Sequence, residues 1–190
     1  MAALVARHPD GVIRRVVLCG SPRPNGRCAQ MARELCERLV RDYPDDRVVL
    51  LSIAGRDIHG CIGCDHCREA GECVFADDMA SVLAALDAAD ELHVVCPVYF
   101  AGPPSQMKAL LDRLQPHYWK GTRHQPKRPL HLHVVGEGGD PHGFDPLVTI
   151  CKSAFAVAGF ELVDIHPHIG LNQRGQSPLV QTAHRGGDES

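Results

Sequence analysis

Apolar positions rich in Val, Ile and Leu recur along the chain in five short runs: Ile13 to Cys19, Val48 to Ile53, Leu92 to Cys96, Leu130 to Val135 and Glu161 to Ile165. Runs of this length, not strictly alternating with polar residues, predict strands buried on both faces. Between them the spacing changes. Met31, Leu35 and Leu39 recur every four residues, with Cys28, Ala32 and Cys36 widening the stripe. Met79, Val82, Leu83 and Leu86, and then Met107, Leu110, Leu111 and Leu114, follow the i, i+3, i+4, i+7 spacing of an amphipathic helix. A fourth, less regular helix is predicted near Phe144 to Ala158. Strand and helix alternate throughout, so right-handed crossovers predict one parallel sheet covered on both faces, an α/β three-layer fold.

The residues that break these patterns are not scattered. GSPRPNG, a cysteine run, PVYFAGPPS and GEGGDPHG follow the first, second, third and fourth predicted strands in turn. Ligands of open α/β sheets bind outside the carboxyl ends of the strands, where the strand order reverses. For an order 2-1-3-4-5 that reversal lies between strands one and three, which places Gly20 to Gly26 and Pro97 to Ser105 on either side of one crevice.

Composition narrows the class. A domain of 190 residues buries roughly 70% of its unfolded surface, so it needs no disulfide staple, and its nine cysteines are an odd number. The N-terminal stretch MAALVARHPDGVIRR has no apolar run of signal-peptide length, and no segment approaches a membrane span. The expectation is a reducing cytoplasm, with no membrane partner. A net charge of −3 gives no footprint for nucleic acid. One basic stretch, with Trp119, Lys120, Arg123, Lys127 and Arg128, reads as a solvated loop or as a dock for an anionic donor.

Each loop permits a chemistry. GSPRPNGR joins a strand to a helix whose first N–H groups lack partners and carry the positive end of the helix dipole, which makes a phosphate seat or a plain turn. It is neither the G-x-G-x-x-G fingerprint nor the G-x-x-x-x-G-K-[ST] loop, which favours a phosphate on something smaller than a dinucleotide. Tyr99 and Phe100 in CPVYFAGPP offer a face for a flat ring, or else aromatic core packing. The glycines of GEGGDPHG allow close backbone approach. Cys61, Cys64, Cys67 and Cys73 have the spacing C-x2-C-x2-C-x5-C, which suits a [4Fe-4S] cluster held by four thiolates. Structural zinc more often uses pairs separated by a longer stretch. Zinc, disulfides and an empty site stay open at this point.

GSPRPNG, the compact cysteine run followed by Asp77-Asp78-Met79, and PVYFAGPPSQMKALLDR, in this order, resemble the iron-sulfur flavoproteins within the flavodoxin-like NADPH-dependent FMN reductase superfamily. The resemblance covers roughly residues 13 to 165. It implies a flavodoxin-like three-layer sandwich with a five-stranded parallel sheet of order 2-1-3-4-5, and an FMN-dependent electron-transfer flavoprotein. The FMN phosphate would lie on Ser21, Arg23, Asn25 and Gly26, with Arg27 and Cys28 beside it. The isoalloxazine would lie along Pro97, Val98, Tyr99, Phe100 and Ala101, and its far edge near Gly138 and Gly139. Cys61, Cys64, Cys67 and Cys73 match the cluster ligands. One departure is that superfamily members often carry Asn then Ser or Thr after Gly26, where this chain has Arg27 and Cys28, so a hydroxyl donor to phosphate is lost. The resemblance also implies a homodimer or homotetramer, a small-molecule or protein electron donor and acceptor, and NAD(P)H as a candidate donor. A cluster-free NAD(P)H-dependent FMN or quinone reductase is the alternative, and a zinc module without flavin is a further one.

The expected organisation is an N-terminal extension over 1–12, the FMN-binding domain over 13–170 with a cysteine-rich loop at 59–76, and a loosely attached tail over 171–190. Cys19, Cys28, Cys36, Cys96 and Cys151 read as core residues. Asp77 and Asp78 read as carboxylates that cap the helix they open, and Asp112-Arg113 as a structural ion pair or subunit contact. His131 with His133, and His166 with His168, share strand faces but lack a third ligand in the sequence. No acid, base or nucleophile is assigned.

Overall fold

All five apolar runs form strands in a computed structural model of the chain, in which residues 11–170 are described. β1 (Arg14–Cys19), β2 (Arg47–Ser52), β3 (Glu91–Pro97), β4 (Arg128–Gly136) and β5 (Phe160–Ile169) lie parallel in the order β2-β1-β3-β4-β5. This is the expected flavodoxin-like order. The helices are α1 (Arg27–Asp42), α2 (His66–Ala70), α3 (Met79–Ala88), α4 (Ser105–Asp112), α5 (Gln115–Trp119) and α6 (Asp145–Val157). Residues 1–10 of the expected extension and all of the expected tail lie outside the described residues.

Two elements depart from the pattern for physical reasons. The apolar spacing carries the third helix to Leu114, but α4 ends at Asp112. Pro116 has no N–H with which to continue the ladder, and the backbone tightens so that the Leu114 N–H reaches Leu111 O at 3.2 Å before α5 begins. β5 runs four residues past the predicted Ile165, through Pro167. It is an edge strand in this sheet, where a missing N–H is tolerated.

Strand alternation sends side chains to two different faces. Leu18, Val94, Leu132 and their neighbours meet Met79, Leu86, Met107, Leu110, Cys151 and Phe155, so α3, α4 and α6 seal one face. On the other face Val17, Cys19, Val95 and Val135 meet Cys28, Ala32, Leu35 and Leu39 of α1. α1 packs on β1, β2 and β3. The same face of β3, β4 and β5 carries polar residues, among them His93, His131 and His166.

The basic stretch is largely the expected solvent-facing segment, with Lys120, Arg123 and Lys127 exposed, but Arg128 departs from it. Arg128 opens β4, where its guanidinium donates to Leu86 O (2.8 Å), Ala89 O (2.6 Å) and Ala158 O (2.7 Å) and lies 4.0 Å over the Phe160 ring. It caps the carboxyl ends of α3 and α6 at once, where free carbonyls and the negative dipole end favour a cation. Lys127 Nζ adds a bond to Ala156 O at 2.9 Å. Arg128→Met keeps the apolar stem but strands these carbonyls. It is expected to cost about 3 kcal/mol, since each buried acceptor left unpaired costs roughly 1–3 kcal/mol. Urea denaturation checks this, with a lower midpoint and an unchanged slope expected.

Candidate functional site

β1 and β3 are neighbours in the sheet although β2 separates them in sequence, so the loops after them flank a crevice at the reversal point. Gly20 seals its floor. The Gly20 N–H donates to Val95 O at 2.8 Å, and a Cβ on Gly20 would stand 2.9 Å from Met107 Sδ. Ser21 is buried, and its Oγ accepts the Arg23 N–H at 3.2 Å, which turns the loop. Arg23 and Asn25 are exposed. Gly26 is the N-cap of α1, with φ −82° and ψ 179°. It supplies no side-chain cap, and the first turn holds no acid. The N–H groups of residues 27–29 therefore face outward at the positive end of a sixteen-residue helix. Of the two replacements noted in the sequence, Arg27 lies 3.7 Å from Glu137 in the loop after β4. The Cys28 side chain is buried in the core beneath α1. Burial pushes its thiol up to about 12, so its N–H is what it can offer a ligand.

The loop after β3 is a tight turn. Tyr99 and Gly102 exchange two backbone hydrogen bonds, of 2.8 and 3.0 Å, and the residues between them, Phe100 (φ 50°) and Ala101 (φ 62°), are both left-handed. A bulky residue pays for that geometry in strain, and such strain gathers at functional sites. Pro97 is buried at the end of β3, and the Val98 N–H donates to Val135 O at 2.9 Å. Ala101 is buried, and its carbonyl accepts the Leu147 N–H at 3.0 Å, pinning the turn to α6. Phe100 is fully exposed and Tyr99 partly so. The aromatic pair is therefore not core packing. Gly138 and Gly139, with φ of 85° and 87°, continue the rim.

The cysteine loop does not join that crevice. Cys61, Cys64, Cys67 and Cys73 surround a cavity of about 230 Å³ whose wall also includes Phe75, Arg113, Pro116 and Trp119. Of these, Arg113, Pro116 and Trp119 follow α4, whereas the Tyr99–Gly102 turn precedes it. The two places are thus separated by a helix of eight residues, about 12 Å long. Gly63, Asp65 and Gly71, all at positive φ, wrap the loop around the cavity. All nine cysteines are free thiols. Burial pushes the Cys67 thiol up, and the nearby Cys73, Cys61 and Cys64 push it further, which reflects four sulfurs sharing one space.

Arg113 holds this loop, and no local motif announced it. Its guanidinium binds Asp77 at 2.7 and 3.1 Å, donates to His59 O at 2.9 Å, and lies 5.1 Å from the Phe75 ring centroid. Both partners of the ion pair are 2% exposed. Asp112 pairs instead with Lys108 at 2.6 Å. Asp77 does cap α3, accepting the Met79 N–H at 3.1 Å, and it also accepts the His59 N–H at 3.0 Å. Asp78 accepts the Asp57 N–H at 2.9 Å rather than one in α3. Burial raises the Asp77 carboxyl, but Arg113 and the two N–H donors more than offset it, so it lies below the usual aspartate value. Arg113 Nε, also buried, has no hydrogen-bond partner.

Four thiols, apolar walls and a buried guanidinium, Arg113, that interacts with Cys73 fit an anionic, thiolate-bound cluster. They fit one zinc ion less well. A Zn–S distance of about 2.3 Å brings tetrahedral sulfurs to roughly 3.8 Å of each other. Among the described residues, the ligand groups that close to within 4.8 Å are histidine–carboxylate sets and do not include the four thiols. The crevice in turn fits a phosphate-bearing flavin, because the uncapped N-terminus of α1 leaves donors for the phosphate.

The family model for NADPH-dependent FMN reductase matches residues 13–143, more than half of the chain. An iron-sulfur flavoprotein of Methanocaldococcus jannaschii is 34% identical over 99 residues, covering 52% of this chain and 50% of its own. One from Methanosarcina thermophila is 34% identical over 97 residues, covering 50% and 49%. The chain thus spans about half the length of the curated relatives it matches. Its fold is similar to that of an NADH:FMN oxidoreductase solved in apo form, with a TM-score of 0.61 at 20% identity over 84% of this chain and 77% of the other. The resemblance read from the motifs is borne out in these matches.

The Arg113–Asp77 bridge gives a pH test. A carboxyl whose folded value is depressed contributes stability that is complete above its unfolded value and is lost as pH falls through the folded one. Asp77→Asn is expected to be less stable than the parent at neutral pH. The difference should narrow as pH falls below the ordinary aspartate value of 3.8. Urea midpoints measured across the acid range check this, and a gap that stays constant would place the effect elsewhere.

Proposed function

Because the chain belongs to the NADPH-dependent FMN reductase family, we propose that it is a flavin-dependent oxidoreductase carrying FMN in the β1–β3 crevice and a [4Fe-4S] cluster in the cysteine cavity. The reading rests above all on the convergence of four thiols on a single cavity lined by Arg113, in a fold whose strand-order reversal presents an uncapped helix N-terminus. The names of the curated relatives, iron-sulfur flavoproteins, support it.

Ser21, Arg23, Asn25, Gly26, Arg27 and the N–H of Cys28 would hold the phosphate. Pro97 to Ala101 would support the ring, with Gly138 and Gly139 at its edge. Cys61, Cys64, Cys67 and Cys73 would hold the cluster. A bound flavin exchanges one or two electrons and a cluster one at a time, so together they link two-electron and one-electron partners. The protein's own part is to fix the two seats at opposite ends of α4, to wall the cysteine cavity with Phe75, Pro116 and Trp119, and to keep a cation beside Cys73. NAD(P)H is the proposed donor, and a small molecule or protein the acceptor. A homodimer or homotetramer is proposed as well, with the exposed Phe100 as a residue for a second copy to cover. Among the described residues no helix is long and apolar enough to cross a membrane.

Two measurements test this. The released flavin should be FMN by mass. Arg23→Ala should weaken FMN binding about tenfold, roughly 1.4 kcal/mol, and leave riboflavin binding unchanged, since riboflavin has no phosphate. Equal losses for both would make Arg23 structural. Cys64→Ser/Cys67→Ser should keep FMN, lose iron and sulfide, and deliver electrons poorly to one-electron acceptors. If the parent binds FMN but no iron after anaerobic reconstitution, the plain flavin reductase takes the place of the cluster protein.

A further inference from the structure

The third ligand missing from the sequence is supplied by the fold. Register places His131 opposite His93 on one side and Asp164 on the other, and His133 opposite His166. Paired residues in neighbouring strands share a face, so these imidazoles line the side of the sheet that α1 covers at β1, β2 and β3. The His93 and His131 rings stack at 4.7 Å between centroids, and those of His133 and His166 at 4.4 Å.

Two ligand groups close within 4.8 Å, Glu91–His93–His131 and His131–Asp164–His166. The first is already satisfied. His93 Nε2 meets Glu91 Oε1 at 2.7 Å, and the other Glu91 oxygen is held by the buried Arg15. The second is open to solvent. Side-chain exposure is 25% at His131, 38% at His166 and 56% at Asp164, so an ion can enter and keep water ligands. His166 Nε2 stands 3.3 Å from Asp164 Oδ2, close to the spacing of two ligands on an ion bound at about 2.1 Å. The Ile165 N–H fixes the other Asp164 oxygen at 2.9 Å.

We propose that His131, Asp164 and His166 form a binding site for one divalent transition-metal ion of the zinc, nickel and cobalt class. Two imidazoles and one carboxylate with positions left for water are a donor set that such ions take. The buried Glu91–His93 pair is the support against which His131 stacks. The site lies along the strands, away from the cysteine cavity, and does not rest on the flavin or cluster readings.

The test uses the full chain carrying Cys64→Ser/Cys67→Ser, freed of metal by chelation and handled anaerobically. Zinc is titrated by calorimetry and cobalt(II) by absorbance. The expected result is one ion per chain, with affinity at least about tenfold weaker in Asp164→Asn and in His166→Gln. Binding should be unchanged in His142→Gln, a histidine in the loop after β4. Both β5 positions are at least partly exposed on an edge strand, so these variants should fold, which circular dichroism checks. The proposal is overturned if no ion is taken up, if both β5 variants bind zinc as the parent does, or if the cobalt spectrum shows thiolate charge transfer.

Discussion

A parallel sheet returns the chain to the same edge after every strand, and this constraint orders the rest of the molecule. Each crossover must climb back along a helix, so every loop that leaves a strand's carboxyl end emerges on one side. Because β3 sits beside β1 and not beside β2, the loops after β1 and β3 are pushed apart to opposite faces and a crevice opens between them. The sequence places GSPRPNG and PVYFAGPP at just those two exits. The left-handed pair Phe100–Ala101 then turns the second loop back on itself within four residues, and Leu147 of α6 anchors it.

The cysteine loop obeys a different constraint. It has no strand to lie against and little regular structure of its own, so it is ordered by what it touches. Arg113 at the end of α4 reaches across to the His59 carbonyl at one end of the loop and to Asp77 at the other. A buried ion pair contributes little net stability, because desolvating both charges offsets their attraction. Removing either partner, however, leaves a charge buried alone. The pair therefore specifies where the loop closes more than it adds to the stability of the domain. It also keeps a positive charge at the wall of the cavity, the sign that four thiolates require.

How much of this was legible in the sequence depends on the range of the interactions. The strands and the four main helices follow from apolar spacing, because burial of periodic stripes is a local signal, while the sheet order comes from the family resemblance that the motifs carry. The four thiols were legible as a set because their spacing is local too. Arg113 was not, since its partners lie 36 and 54 residues away and nothing in LLDRLQ distinguishes it from a surface arginine. Arg128 was misread for a similar reason. In PKRPL it stands in a basic stretch, and only the return of α3 and α6 to its side reveals it as a cap on both. The histidines gave half a signal: strand alternation paired them within β4 and within β5, while Asp164 entered only through register, after the irregularity between Leu130 and His131 in the pairing with β5.

The shift sets Asp164 opposite His131, at the end of a row of polar residues along one face of the sheet. On the α3–α4–α6 face the layer is apolar from β2 to β4, and any charge there would lack a partner. On the other face, the partners form a line. Arg15 joins Asp46 and Glu91, Glu91 joins His93, and His93 lies against His131 and His133. Burial raises the Glu91 carboxyl, but the bond from His93 and the charge of Arg15 more than offset it, so the line starts from a fixed negative charge. His133 is driven down to about 3 by burial and by the rings around it. Asp164 and His166, on the edge strand, are where this row meets solvent, and there an exposed carboxylate stands beside imidazoles that the rest of the row keeps in register.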